Sequence, residues 1–84
     1  MAQLMYFSKV REQIGIGDET IDLPHTIATV EDLVAHLRGL GDGYNSALAD
    51  MTFIRVAINQ NHVGIDHAVT NADEIAFFPP VTGG

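Results

Sequence analysis

The sequence predicts an α+β domain in which one main helix packs on one face of a mixed sheet of four or five strands. Two observations favour this class. Residues 29–40 carry apolar side chains at helical spacing over three turns. Short apolar or alternating stretches, typical of strands, lie on both sides of that helix. A single helix among several strands covers one face of a sheet, so this order of elements indicates two packed layers.

The first part of the chain is predicted to hold two strands joined through a helical turn. Residues 3–8 form an apolar stretch with two aromatic rings, which predicts a strand buried on both faces. Residues 9–14 are interpreted as a short helical turn. Residues 19–23 alternate polar and apolar side chains, which predicts a half-buried strand with Ile21 and Leu23 facing inward.

The main helix is predicted to begin at Thr29, because Asp32 follows three residues later in a capping-box arrangement. Gly41 is the expected stop, since glycine commonly ends helices. Residues 44–49 form either a second short helix or an irregular loop. The apolar stripe of the helix consists of Val30, Leu33, Val34, Leu37 and Leu40.

The second half of the chain is predicted to hold the remaining strands. Residues 53–59 alternate, with Ile54, Val56 and Ile58 on one face. A turn follows, after which residues 62–63 pair briefly back. Residues 73–78 form the last strand, which is short, apolar and aromatic.

Composition limits the possible functions. The 84 residues are expected to form one domain over 1–84, and their net charge is −7, from eleven acidic and four basic residues. Nucleic acids and anionic membranes attract basic surfaces, so neither is an expected partner. The acidity favours a partner with a basic face, or serves only to keep a small domain in solution.

The absence of cysteine excludes disulfides, thiolate metal sites and a cysteine nucleophile. No stretch of the sequence has the length and apolar character of a membrane helix, and the first residues lack the features of a signal peptide, so a cytoplasmic protein is expected. The four histidines do not have the spacing of a zinc site. No bound cofactor or metal is therefore expected, and the sequence contains no motif of a self-sufficient active site.

The C-terminal end of the chain carries the most informative pattern. Phe77 and Phe78 alternate faces in the last strand, so one is expected in the core and the other near the surface as a docking anchor. Two prolines end the strand because they cannot donate to a ladder. Residues 79–84 are expected to protrude as a tail with a reach of roughly 20 Å if extended. The alternative is an ordinary frayed terminus.

Several stretches of this sequence resemble one family over almost the whole chain. The ending resembles that of the small, sulfur-carrying subunit of molybdopterin synthase, and its motif is highly specific. Gly-Gly alone is weak, because other ubiquitin-like carriers share it. The matching stretches are 7–12 (Phe-Ser-Lys-Val-Arg-Glu), 29–33 (Thr-Val-Glu-Asp-Leu), 56–60 (Val-Ala-Ile-Asn-Gln), 66–74 and 77–84 (Phe-Phe-Pro-Pro-Val-Thr-Gly-Gly).

The resemblance implies a β-grasp, or ubiquitin-like, fold with the first and last strands side by side in the centre of the sheet. It also implies that an activating enzyme adenylates Gly84 with ATP, that sulfur then gives a terminal thiocarboxylate, and that this sulfur passes to a cyclic pterin precursor. The implied partners are the large synthase subunit in a 2+2 heterotetramer, a ubiquitin-activating-like adenylyltransferase and a sulfur donor. The residues expected to contact partners are Arg11, Phe78, Pro79, Pro80, Val81, Thr82 and Gly83.

Three alternatives remain open from the residues. The first is a sulfur carrier of another pathway, such as thiamine synthesis, although the sequence Phe-Phe-Pro-Pro-Val-Thr before Gly83 argues against it. The chain is also compatible with a ubiquitin-like modifier that joins Gly84 to lysines of target proteins. The last alternative is a binding module whose tail has no chemistry.

Overall fold

A computed structural model of the chain describes residues 1–80, and its centre is a five-stranded sheet in the order β2-β1-β5-β3-β4. The two central strands, β1 and β5, run parallel, and the other neighbouring pairs are antiparallel. This places the first and last strands side by side, which confirms the arrangement expected of a β-grasp. The strands are β1 (Ala2–Tyr6), β2 (Asp18–Ile21), β3 (Arg55–Ile58), β4 (Asn61–Val63) and β5 (Glu74–Phe78).

Three helices accompany the sheet: α1 (Ser8–Ile14), α2 (Val30–Arg38) and α3 (Asp42–Leu48). The predicted capping box of α2 is present, because Thr29 Oγ1 accepts from the Asp32 amide at 3.3 Å and Asp32 Oδ2 accepts from the Thr29 amide at 3.1 Å. Each bond satisfies an amide that the first helical turn leaves without a carbonyl partner. The stretch left open by the sequence is helical and forms α3.

The core lies between α2 and one face of the sheet. Its helical side consists of four buried residues of the predicted stripe, Val30, Leu33, Val34 and Leu37. Burying a side chain of this size contributes about 1.5–3 kcal/mol, so this layer is a main source of stability. The sheet side of the core includes Leu4, Tyr6, Val56, Ile58, Ile75 and Phe77.

The hairpin between β3 and β4 closes through Asn59 and Gln60, whose φ values are 51° and 72°. Two consecutive positive φ values are the mark of the tight turn that best fits the twist of a two-residue hairpin. The Asn59 side chain also donates to Asp73 Oδ1 and accepts from the Glu74 amide, each at 3.0 Å. Asn59 therefore holds the start of β5 in register with β3.

Close packing of α1 against α3 depends on Gly43. A Cβ at Gly43 would overlap the backbone carbonyl oxygen of Gln13 at the end of α1. Only glycine permits this approach of two backbones. The contact brings α3 beside α1 and shapes the surface near the end of β5.

Several predicted boundaries are wrong. The first strand ends at Tyr6, and Gln3 and Met5 are half-buried, because only one face of the sheet is covered. The main helix ends at Arg38, not at Gly41, and Leu40 is 49% exposed beyond it.

The strand predicted from residue 53 begins at Arg55, because Met51–Phe53 form a 3₁₀ turn. Ile54 precedes the strand and is half-buried, and the Ala57 side chain is buried although it lies on the opposite face from Val56. Leu23 lies beyond β2, which ends at Ile21; both side chains are half-buried.

Candidate functional site

The candidate site is the point where the chain leaves the sheet, and we call residues 78–80 the tail root. β5 is hydrogen-bonded to a neighbouring strand on both sides. The tail root therefore leaves the sheet at the C-terminal end of its central strand. The register places Phe77 beside Tyr6 of β1 and Phe78 beside Arg55 of β3. The ladder stops there because Pro79 has no amide to donate.

The residues after the tail root, 81–84, lie outside the described residues. The predictions that fall on Val81, Thr82, Gly83 and Gly84 therefore lie outside them too. Pro79 and Pro80 belong to the described residues and are both half-buried directly after β5. Their proposed contacts with partners stay predictions, as does the extent of the tail.

The two phenylalanines of β5 face opposite sides of the sheet. Phe77 is fully buried and stacks on Tyr6, with ring centroids 6.0 Å apart. Phe78 is half-buried on the other face, where its ring meets the edge of His62 at a centroid distance of 5.4 Å. The expectation that one ring belongs to the core is confirmed. Phe78 is the ring available to a partner, and its role as an anchor stays a prediction.

The sheet face that carries Phe78 lies opposite the helical layer. Met5, Ala76 and Ala57 occupy neighbouring positions across β1, β5 and β3 on that face. Their small or flexible apolar side chains form a continuous surface that leads to Phe78. Ala57 is buried, whereas Met5, Ala76 and Phe78 are half-buried, so these three side chains are the part of this face that a partner can contact.

A hydrogen-bonded cluster supports the sheet beneath the tail root. Glu19 Oε2 accepts from the hydroxyls of both Tyr6 and Tyr44, each at 2.8 Å. Burial, followed by the hydrogen bond to Glu19, raises the pKa of Tyr44 to about 12 and raises the pKa of Tyr6 further. Both phenols therefore stay protonated at neutral pH and act as structural donors that tie β1, β2 and α3 together.

This cluster was missed from the sequence, because Tyr6, Glu19 and Tyr44 belong to three separate elements. Glu19 shares the parity of Ile21 and Leu23, so strand alternation puts the three side chains on one face. The structure places Glu19 half-buried between two rings. The available signals were this inward position and the tyrosine in the stretch 44–49, because a partly buried phenol needs a hydrogen-bond partner.

Arg11 is exposed on α1, with its guanidinium against the loop before β2. A Cβ built on Gly17 would come within 3.1 Å of Arg11 Nε, which shows how closely the side chain crosses that loop. The Gly17 carbonyl accepts from the Tyr6 amide, so this loop adjoins the end of β1 next to the tail root. Arg11 is thus placed where a partner that holds the tail can reach it, and its role stays a prediction.

Across residues 1–80, no group of three or more histidine, aspartate or glutamate side chains is arranged to hold a metal ion. In the same range, no helix combines the length and the apolar character that crossing a membrane requires.

Comparison with known proteins decides the family. A profile described as the ThiS family matches residues 4–84. The chain belongs to the ThiS family. The match runs through the final Gly-Gly, so it includes the tail as well as the domain.

Several proteins with sequences similar to this chain share one name. The chain is 44% identical to the molybdopterin synthase sulfur carrier subunit of Haemophilus influenzae over 84 residues, with both chains covered completely. It is 39% identical to the subunit of the same name from Escherichia coli, again with complete coverage of both. A human subunit of that name is 28% identical over 88 residues, covering 98% of this chain and 92% of its own.

Solved structures confirm the fold. SAMP1 from Haloferax volcanii superposes with a TM-score of 0.73 at 28% identity, covering 99% of this chain and 98% of its own. A putative molybdopterin converting factor, subunit 1, from Pyrococcus furiosus gives a TM-score of 0.70 at 23% identity and covers 95% of this chain and 97% of its own. This chain therefore shares its β-grasp fold with archaeal SAMP1 and with the Pyrococcus furiosus protein.

Proposed function

We propose that this chain is the sulfur-carrier subunit of a molybdopterin synthase, with Gly84 as the residue that carries sulfur. The observation that carries the proposal is the full-length likeness, through the terminal Gly-Gly, to subunits of that name in two bacteria. The geometry supports it, because the tail root follows a central strand of the sheet, next to the buried pair Phe77 and Tyr6.

The chemistry follows from the state of a terminal carboxyl. Its pKa is about 3.5, so Gly84 ends in a carboxylate at neutral pH, which is a poor electrophile. Attack of this carboxylate on the α-phosphate of ATP, on an adenylyltransferase related to ubiquitin activators, releases pyrophosphate and leaves an acyl adenylate. A sulfur donor then displaces AMP, and the product is a glycine thiocarboxylate.

The second half of the cycle takes place on a larger partner. The tail enters the large synthase subunit, which binds the cyclic pterin precursor and supplies the residues that act on it. The Gly84 sulfur bonds to a carbon of the pterin in place of an oxygen substituent, and water then cleaves the thioester, which returns the Gly84 carboxylate and leaves the sulfur on the pterin. A dithiolene holds two sulfurs, so two charged chains are used for each product. Gly83 and Gly84 suit a narrow channel because they lack a Cβ. This chain therefore takes part in a sulfurtransferase without being catalytic alone, and it binds no cofactor of its own.

The proposed setting follows from these steps. ATP, the adenylyltransferase and the sulfur donor must meet the chain in one compartment, for which we propose the cytoplasm. The proposed assembly holds two copies of this chain and two of the large subunit. Neither nucleic acid nor a membrane enters the cycle, in line with the net charge of −7.

The test is intact-mass measurement of this chain after incubation with the adenylyltransferase, ATP and a sulfur donor. The wild-type chain should gain the mass difference between sulfur and oxygen. A chain that lacks Gly84, or that extends beyond it, should gain nothing, because the reactive carboxyl then lies one residue away from its required place. Fold and partner binding should persist, since a one-residue change at the terminus removes almost no buried area. Equal gains in the deletion variant would refute the proposal.

A second candidate function is a ubiquitin-like protein modifier. The likeness to SAMP1, which is called a small archaeal modifier protein, favours it. In that role the activated Gly84 carboxyl would form an amide with a lysine of a target protein, with AMP as the leaving group. Higher-mass conjugates on a blot of cells that express a tagged chain would support a modifier, and a thiocarboxylate without conjugates would support the carrier.

A further inference from the structure

Lys9 is the only lysine of the chain, and the structure places it beside the point where the tail leaves the sheet. Its side chain is exposed in the first turn of α1. Lys9 and Pro79 line the same groove, which has a volume of about 240 Å³ and lies between α1, α3 and the 3₁₀ turn. The only side-chain amine of the protein and the start of the tail therefore share one small surface.

The backbone fixes this proximity. The Phe7 amide donates to the Phe77 carbonyl at 3.1 Å, which joins the C-terminal ends of β1 and β5. Lys9 follows Phe7 by two residues, and Pro79 follows Phe77 by two residues. Two residues span at most about 7 Å, so neither lies far from the bonded pair. The five residues after Pro79 reach roughly 17 Å if extended, which is enough to bring the Gly84 carboxyl to the Lys9 amine.

We propose that Lys9 is the acceptor of the chain's own C-terminus whenever the Gly84 carbonyl carries a leaving group. The inference rests on the proposed function, in which that leaving group is AMP. The unprotonated Lys9 amine attacks the Gly84 carbonyl carbon, and a C–N bond forms. The bond from that carbon to the phosphate oxygen of AMP breaks, AMP leaves with the electron pair, and the amine proton passes to solvent.

The product is a closed chain with an isopeptide bond between Lys9 and Gly84, lighter than the open chain by the mass of one water. A closed chain has no terminal carboxyl left to take up sulfur. The amine and the sulfur donor therefore compete for the same acyl group, and a shortage of sulfur removes the carrier from the cycle.

The short tether favours attack within one chain. Groups joined by a short flexible linker meet at an effective concentration in the millimolar range, well above the micromolar concentration of separate chains. The other amine of the purified chain is the α-amino group of Met1. It lies at the opposite end of the sheet, because Ala2 begins β1 and Tyr6 ends it beside Phe77. Lys9 is therefore the amine near the activated carboxyl.

The experiment uses the full chain with a Gly84 thioester, which thiol cleavage of a C-terminal intein fusion produces. The thioester needs neither the adenylyltransferase nor ATP, so this test is separate from that of the proposed function. In mildly alkaline buffer, intact mass follows the loss of the thiol, and fragmentation of proteolytic peptides locates the new bond. Lys9→Arg removes the lysine, and Lys9→Arg combined with His25→Lys moves it to another place.

His25 is a matched position for the moved lysine. It is exposed and follows Ile21, the last residue of β2, by four residues. The register pairs Ile21 with Ala2, so this loop begins at the end of the sheet opposite the tail root. The double variant thus keeps one exposed lysine while changing its distance from the tail. Thermal melts check that both variants are folded.

We expect the wild-type thioester to close through Lys9 at a rate that is independent of protein concentration. The rate of closure should fall by about tenfold or more in both variants. With the adenylyltransferase and ATP but no sulfur donor, wild type should give the same closed chain. Addition of the donor should divert the acyl group to the thiocarboxylate, and Lys9→Arg should gain sulfur as wild type does.

The inference is overturned if the thioester hydrolyses without closing, if the bond forms at Met1, or if the moved lysine closes the chain as fast as Lys9. Dimers whose share rises with protein concentration would show attack on a second copy and overturn it too. So would a chain that is adenylated without closing when the sulfur donor is omitted. Each of these results leaves the proposed function intact as long as wild type gains sulfur on Gly84. Closure of the thioester with no gain of sulfur in the enzymatic assay would uphold Lys9 as the acceptor and refute the proposed function.

Discussion

At the scale of single residues, Asp32 combines helix capping with sensitivity to pH. Hydrogen bonds from the Ala28 and Thr29 amides hold its carboxyl pKa below the ordinary value of an aspartate. A group whose pKa is lowered by folding stabilises the folded chain above its unfolded pKa of about 3.9. This contribution is lost as the pH falls through the folded pKa.

The corresponding prediction compares wild type with Asp32→Asn by thermal melts from pH 7 down to pH 2. Wild type should be the more stable at neutral pH, because the carboxylate accepts two amides as an anion. The advantage should shrink below about pH 4 as Asp32 takes up a proton. All other carboxylates are common to both chains, so the difference between the two melts isolates Asp32. A difference that stays constant over this range would contradict the assignment.

At the scale of elements, α2 is the element that joins the two layers. Leu37 is fully buried in its last turn, whereas Leu40, two residues after the end of the helix, is 49% exposed. The same residue type thus occupies a core position and a surface position within three residues. The pair separates the contribution of core packing from that of the substitution itself.

We expect Leu37→Ala to lower the free energy of unfolding by about 2–5 kcal/mol, because it removes buried methyl groups and leaves a cavity. Leu40→Ala should change it by about 0.5 kcal/mol or less, since its side chain is largely in water. Urea denaturation followed by circular dichroism measures both values. Similar losses in the two variants would mean that Leu37 does not have the core role that its burial indicates.

At the scale of the whole molecule, the arrangement presents one end of the sheet to partners. β1 and β5 are parallel, so their C-terminal ends lie at the same end of the sheet. Hydrogen bonds from Tyr6 and Tyr44 to Glu19 stabilise that end. Phe78 lies on the open sheet face, and Pro79 lines a groove with residues of α1 and the 3₁₀ turn. The domain is therefore suited to hold a tail at a defined position while a larger protein surrounds it.

We predict a stable complex of two copies of this chain with two copies of the large subunit. Light scattering on the eluted complex measures its mass, and the chain without Gly84 should form the same complex, because its docking surfaces are intact. Failure of the two proteins to co-elute at micromolar concentration would remove the main support for the synthase assignment. A complex with one copy of each would refute only the proposed stoichiometry.

Local patterns explain which features were predictable. The capping box at Thr29 and Asp32 was recognisable because both partners lie within one helical turn. The end of α2 was not, since the apolar stripe continues to Leu40 although the helix stops at Arg38. The groove beside Pro79 could not be predicted either, because its walls come from α1, α3, the 3₁₀ turn and Pro79.

The sequence by itself determined the α+β class, the main helix, the last strand and the family likeness of the ending. Each of these features depends on the spacing or the motif of residues that are neighbours in the chain. Only the tertiary structure decided that Phe77 enters the core while Phe78 faces the open side, that Glu19 joins two tyrosines, and that Lys9, Val10 and Phe53 line one groove beside Pro79. Strand alternation leaves the choice of face open until a helix covers one side. Side chains far apart in sequence meet only when the sheet is assembled.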